Sequence, residues 1–214
     1  MIISCLHTAD SNIAVFENAA RQIGLSDVTL RHAVRADLLG AAELAGGLSE
    51  EITEETAAIL SGLAGEADAV LLTCSTLGPS VAKAGMGAAV PILRVDAALA
   101  EKAAAAGGKV VVLCAVETTI APTTALFAAA AHRSGADLEV RLVEGAWALF
   151  KEGNRDGYLA AIAQAVEAAY ADGATIVALA QASMAGAADH VRNGPRPLSS
   201  PAAGLEAAMS AIAD

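Results

Sequence analysis

Aromatic residues are nearly missing from this chain: three Phe, two Tyr and one Trp in 214 residues. A core without large rings is built from Val, Ile, Leu and Ala, which suits helices laid over a parallel sheet. Basic clusters are missing too. Lys and Arg number 13 against 24 Asp and Glu, a formal net charge of −11. With no concentrated basic face, the sequence argues against a nucleic-acid surface or an anchor on anionic membrane. No apolar run reaches the roughly 18 residues of a membrane span. Nor does the N-terminus show a basic leader followed by a long apolar stretch, so no signal peptide is expected. Cysteine is scarce: Cys5, Cys74 and Cys114 are odd in number, far apart and outside any CxxC. That excludes a disulfide framework and fits a reducing cytoplasm, the expected location.

What is present is alternation. Short apolar strands, Ile2–Leu6, Val28–Arg31, Ala69–Thr73, Lys109–Leu113, Leu138–Val143 and Thr175–Ala180, are separated by alanine-rich helical stretches. This is the pattern of an α/β protein with parallel strands. Gly24 and Gly135 are placed to end helices, and Gly107-Gly108 ends another just before a strand. The one acidic run, Glu50-Glu51-Ile52-Thr53-Glu54-Glu55, reads as a solvated helix start.

The chain also resembles itself. "VFENAARQIG" (Val15–Gly24) matches "LFAAAAHRSG" (Leu126–Gly135), and "DAVLLTCSTL" (Asp68–Leu77) lies over "TIVALAQASM" (Thr175–Met184). A weaker third pair is "ILRVDAALAEKA" (Ile92–Ala103) over "PLSSPAAGLEAA" (Pro197–Ala208). Alanine inflates any one match, but three in the same order, at offsets of 111, 107 and 105 residues, indicate a duplicated α/β unit. Residues 1–96 with 201–214 form the expected first half, and residues 97–200 the second. The second match sets Cys74 over Gln181.

Ligands in open parallel sheets bind beyond the carboxyl ends of the strands. Four such ends carry polar groups: His7-Thr8, Cys74-Ser75-Thr76, Glu117-Thr118-Thr119 and Gln181-Ala182-Ser183. If the halves face each other, these sets meet in one active-site cleft. Ser75 and Thr76, like Thr118 and Thr119, stand at strand-to-helix turns, where N–H groups and hydroxyls hold anions such as carboxylates. A cysteine near a helix N-terminus has its thiolate favoured, which makes Cys74 a candidate base or nucleophile. A carbon acid α to a carboxylate is a reasonable substrate for it.

These residues resemble the aspartate/glutamate/hydantoin racemase superfamily over nearly the whole chain. "LLTCSTL" is similar to its first cysteine motif, "VVVLCAVETTIAPTTALF" to the segment whose threonine contacts substrate carboxylate, and "IVALAQASMA" to its second cysteine motif. "LSSPAAGLEAA" is similar to its closing segment. The resemblance implies two pseudosymmetric flavodoxin-like halves with parallel sheets, no cofactor, no metal, and proton transfer between opposed cysteines. Gln181, where the second cysteine belongs, departs from that pattern. An amide has no proton to give or take near neutral pH, though it hydrogen-bonds a carboxylate or an enediolate well. His7 and Glu117 are the candidates for the missing acid/base by position. Otherwise the reaction needs one proton donor only, as in the superfamily's single-cysteine decarboxylases of malonate-type acids, or the protein binds a carboxylate without turning it over.

The expected substrate-binding set is Thr8, Ser75, Thr76, Thr118, Thr119, Gln181 and Ser183, with Cys74, His7 and Glu117 catalytic. Each has a plainer use: a buried thiol, helix caps, a satisfied histidine, a solvated carboxylate. Cys5 and Cys114 lie within apolar strands and read as core. His32, His132 and His190 show no spacing with Asp, Glu or Cys that suggests a metal site. Small carboxylates are the expected partners, and Ala-rich helices with few charges are suited to packing against a second copy in a homo-oligomer.

Overall fold

The computed structural model describes residues 1–213, which divide into two units: Met1–Ala98 with the chain from Pro201 onward, and Leu99–Ser200. The boundaries fall in or beside helices, so each unit carries part of a helix begun in the other.

The first unit holds β1 (Ile2–His7), α1 (Ser11–Gln22), β2 (Thr29–Val34), α2 (Ala36–Leu44), α3 (Glu50–Ala64), β3 (Ala69–Leu72), α4 (Ser80–Ala84) and β4 (Ile92–Arg94). Then come α5 (Val95–Ala105), β5 (Lys109–Cys114), α6 (Ile120–Ser134), β6 (Asp137–Leu142), α7 (Ala146–Lys151), α8 (Arg155–Ala171), β7 (Ile176–Leu179), β8 (Leu198–Ser199) and α9 (Ser200–Ala213). All strand pairs are parallel, in the orders β2-β1-β3-β4 and β6-β5-β7-β8. The fold is therefore α/β with two four-stranded parallel sheets and flanking helices. In both sheets the chain reverses its direction of winding between the first and third strands of the unit. That switch point is where a crevice opens in folds of this kind.

The two orders match residue by residue. Leu6 pairs with Leu72 and Leu113 with Leu179; Cys5 pairs with His32 and Val112 with Val140. Phe16 of α1 and Phe127 of α6 are buried anchors in the two units. Small residues let the remaining helices approach closely: a Cβ on Gly204 of α9 would stand 2.7 Å from the Val95 side chain. Among the described residues, no helix is long and apolar enough to cross a membrane.

Of the eight strands among the described residues, the sequence pattern placed six. β4 and β8, three and two residues long, are too short to carry a period of their own. Both sit at the head of the third self-similar segment, so that weak repeat is a strand-plus-helix unit. β2 runs on to Val34 because pairing with β1 carries it past the apolar start. Ser49 caps α3 by accepting from the Ile52 N–H at 3.3 Å, and Gly24 and Gly135 close α1 and α6 with φ of 76° and 75°.

Gly107 and Gly108 make a paired test of backbone against packing. Both have positive φ, 70° and 67°, but a Cβ on Gly108 would lie 2.3 Å from Thr175 Oγ1, whereas Gly107 has open space. That hydroxyl accepts from the Lys109 N–H at the head of β5. Gly107→Ala is expected to cost about 1–2 kcal/mol from the left-handed backbone alone. Gly108→Ala adds the clash and the lost hydrogen bond, roughly 1 kcal/mol or more on top. Urea denaturation of the two variants checks this, and equal midpoints would contradict it.

Candidate active site

Thr73 is held at the end of β3 by one carbonyl. The Leu6 C=O accepts both the Thr73 N–H, at 3.1 Å, and the Thr73 hydroxyl, at 3.0 Å. The chain then leaves the sheet beside Thr8, and Cys74 begins a tight turn. Its sulfur is set among the Thr8 hydroxyl and the backbone N–H groups of Thr76 and Leu77. These donors favour a thiolate. Burial outweighs them, with the Asp96 carboxylate opposing as well, so the thiol is raised above its ordinary value and Cys74 rests protonated. Cys74 is 9% exposed, while Cys5 and Cys114 are wholly buried. Ser75 and Thr76 are buried in the same turn.

Two features near this turn escaped the sequence reading. Arg94, at the end of β4, grips the buried Asp96 through Nε and Nη2, each at 2.7 Å. Its guanidinium lies where a Cβ on Gly78 would stand, at 2.4 Å, so a larger residue there would push on the Arg94–Asp96 pair. At the start of α1, Ser11 Oγ and Asn12 Oδ1 are buried without a hydrogen-bond partner. A polar "SN" pair just after a strand end was the available signal, but helix-start residues of this type are too common to single out.

His7 is fully buried, with Nδ1 2.8 Å from Thr73 Oγ1 and Nε2 2.9 Å from His32 Nδ1. Burial first, then His32, lowers it to about 4, so it is neutral near pH 7. The structure thus brings Thr8, Ser75 and Thr76 together around Cys74 and turns the hydrogen bonds of His7 toward Thr73 and His32.

In the second unit the Leu113 carbonyl accepts the Ala180 N–H at 3.0 Å, and Gln181 leaves the sheet where Cys74 leaves the first. Its Oε1 accepts the Ala115 N–H at 2.6 Å and its Nε2 donates to Thr119 Oγ1 at 3.0 Å. The Thr119 hydroxyl in turn donates to the Val116 carbonyl. Ser183 Oγ lies 2.8 Å from the Tyr158 hydroxyl. Thr118 is half-buried and Glu117 exposed, both in a 3-10 turn at Glu117–Thr119. Cys114 is raised by burial against the side chains of Thr119, Thr123 and Gln181. Arg196 pairs with Asp189 at 2.7 Å, and the Arg192 N–H bonds Glu167, so the Pro-rich loop is tied down within its own unit.

Solved structures match this fold over nearly all of this chain. An aspartate racemase from Picrophilus torridus aligns with TM-score 0.75 and 12% identity, covering 99% of this chain and 94% of its own. The allantoin racemase from Pseudomonas fluorescens aligns with TM-score 0.71 and 17% identity, over 100% and 91%. A glutamate racemase from Bacillus anthracis gives TM-score 0.71 and 13% identity, over 98% and 80%. At such identities the likeness is one of fold. No curated protein sequence matches. The Asp/Glu/Hydantoin racemase profile, however, matches residues 53–208, well over half of the chain, and the chain belongs to that family.

Proposed function

We propose that the protein transfers a proton at the carbon α to a carboxylate, with Cys74 as the acid/base group and no cofactor, as a racemase or epimerase of a small acid. The observation that carries this reading is the Cys74 turn itself: a thiol ringed by the Thr8 hydroxyl and two N–H groups at the end of β3, in a residue that keeps 9% exposure where Cys5 and Cys114 keep none. Donors of that kind also suit a substrate carboxylate or the enediolate formed from it. Ser11 Oγ, a buried hydroxyl without a partner off the neighbouring strand β1, adds a donor for a bound carboxylate, and Asn12 Oδ1 adds an acceptor for a hydroxyl or amino group on the same substrate. Family membership supports isomerase chemistry.

A second reading has its own support. Gln181 cannot titrate, and its amide is already committed to Ala115 and Thr119. Glu117 is exposed, and the ring nitrogens of His7 face Thr73 and His32. A one-sided site of this kind suits a single protonation, such as follows loss of carbon dioxide from a malonate-type acid.

Proton NMR in heavy water, with amino acids, hydroxy acids, hydantoins and malonates, separates these readings. Scrambled configuration with α-deuterium supports the racemase. Deuterium entering only on decarboxylation, or with configuration kept, supports the one-sided enzyme. No exchange with saturable binding overturns both and leaves a carboxylate-binding protein. Cys74→Ser is expected to lower any exchange roughly 10²–10⁴-fold. Because the base form is the thiolate and its proton is held tightly, the wild-type exchange rate should keep climbing with pH beyond the ordinary thiol range. A rate flat across that range removes Cys74 as the base.

Gln181→Ala leaves the buried Ala115 N–H without its partner and should cost about 1–3 kcal/mol in urea denaturation. A neutral result would mean the amide is free for substrate.

A further inference from the structure

One cluster in the first unit has no use in the proton chemistry. Cys5 and His7 lie two residues apart on β1, and His32 is the register partner of Cys5 on β2. All three side chains share one face of the sheet, and α1 covers it, with the Phe16 ring 5.2 Å from that of His7. Cys5 Sγ and one nitrogen of each histidine lie within 4.8 Å of one another.

The outer neighbours of the two rings favour one tautomer of each. The Thr73 hydroxyl gives its only proton to the Leu6 carbonyl, so it accepts from His7 Nδ1–H. That leaves His7 Nε2 as a lone pair. On the other side His32 Nε2 lies 3.2 Å from Glu17 Oε1, the natural acceptor for its N–H. In that pair of tautomers the inner atoms, His7 Nε2 and His32 Nδ1, face each other at 2.9 Å beside a thiol. A shared proton or a small cation bridges nitrogens at such a spacing. Each outer nitrogen already has the acceptor that orients a metal-bound histidine.

The second unit supplies an internal control. Where the first has Cys5, His7, His32, Thr73 and Glu17, the matching positions are Val112, Cys114, Val140, Ala180 and Ala128. There Phe127, Val110, Val112 and Cys114 simply form core. The fold packs well with apolar residues at this place, so buried imidazoles are a cost the architecture does not require.

We propose that Cys5, His7 and His32 bind a borderline divalent metal ion of the zinc class, tying β1 to β2 beneath α1. One sulfur and two imidazole nitrogens are the donor set such ions select. Zinc–nitrogen bonds in a tetrahedron hold nitrogens about 3.3 Å apart, so the rings need separate by only a few tenths of an ångström. Binding forms a metal–sulfur bond and releases the Cys5 proton to solvent. Unaided, that thiol is pushed up to about 12, by burial first and then by Glu17, so the ion itself must displace the proton.

The test is titration of the metal-free protein with Co²⁺, in place of Zn²⁺, followed by absorption. The expected result is one equivalent bound, with a thiolate-to-cobalt charge-transfer band, and displacement by Zn²⁺. Cys5→Val and His32→Val, which copy the residues of the second unit, should fold normally and lose the band. Glu17→Gln should weaken binding about 10–100-fold. No band, or binding that survives both valine variants, overturns the proposal. So does a nitrogen-15 spectrum of the wild type, with Zn²⁺ present, in which His7 and His32 share a proton.

Discussion

A single carbonyl organises the functional end of the first unit. Leu6 C=O takes two hydrogen bonds from Thr73, one from its N–H and one from its hydroxyl. The first fixes where β3 stops, and so puts the thiol of residue 74 against Thr8 rather than elsewhere in the turn. The second engages the hydroxyl proton, which leaves Thr73 as an acceptor toward His7 Nδ1. Leu113 does the same positional work in the second unit, but Ala180 brings only an N–H. One hydroxyl thus separates a strand end that orients an imidazole from one that does not.

The two units differ at their strand ends while sharing the rest. Both units keep the strand order, the register and a buried phenylalanine on the first helix. Backbone pairing and apolar packing therefore hold each unit together, and the strand ends are left to vary. The first has gathered groups that are costly to bury: a thiol in a turn, two imidazoles, the Arg94–Asp96 pair. The second has spent its polar groups on itself. Gln181 ties Ala115 to Thr119, and Ser183 meets Tyr158.

Much of this was readable in the sequence because it depends on local pattern. Alternating apolar runs and glycine stops give the α/β class, and the 107-residue offset aligns Cys74 with Gln181. Ser75 and Thr76 follow from adjacency to Cys74. What was not legible depends on atoms brought together across strands. Cys5, His7 and His32 carry no spacing that suggests a common ligand, since His32 reaches them only through parallel pairing. The same holds for His7, whose position suggested an acid/base but whose ring nitrogens are engaged. Gln181 looked like a wall for substrate, and only the geometry reveals that its amide caps a neighbouring backbone. β4 and β8 escaped because two or three residues show no period.

The account rests on Cys74 being the addressable thiol of the three, in a site that receives carboxylates. Alkylation of the folded protein with iodoacetamide at mildly alkaline pH, mapped by peptide mass with and without small mono- and dicarboxylates, tests this directly. The prediction is modification at Cys74 ahead of Cys5 and Cys114, slowed by a carboxylate that fits. Labelling of Cys74 no faster than the two wholly buried cysteines, or unaffected by every carboxylate tried, would contradict it.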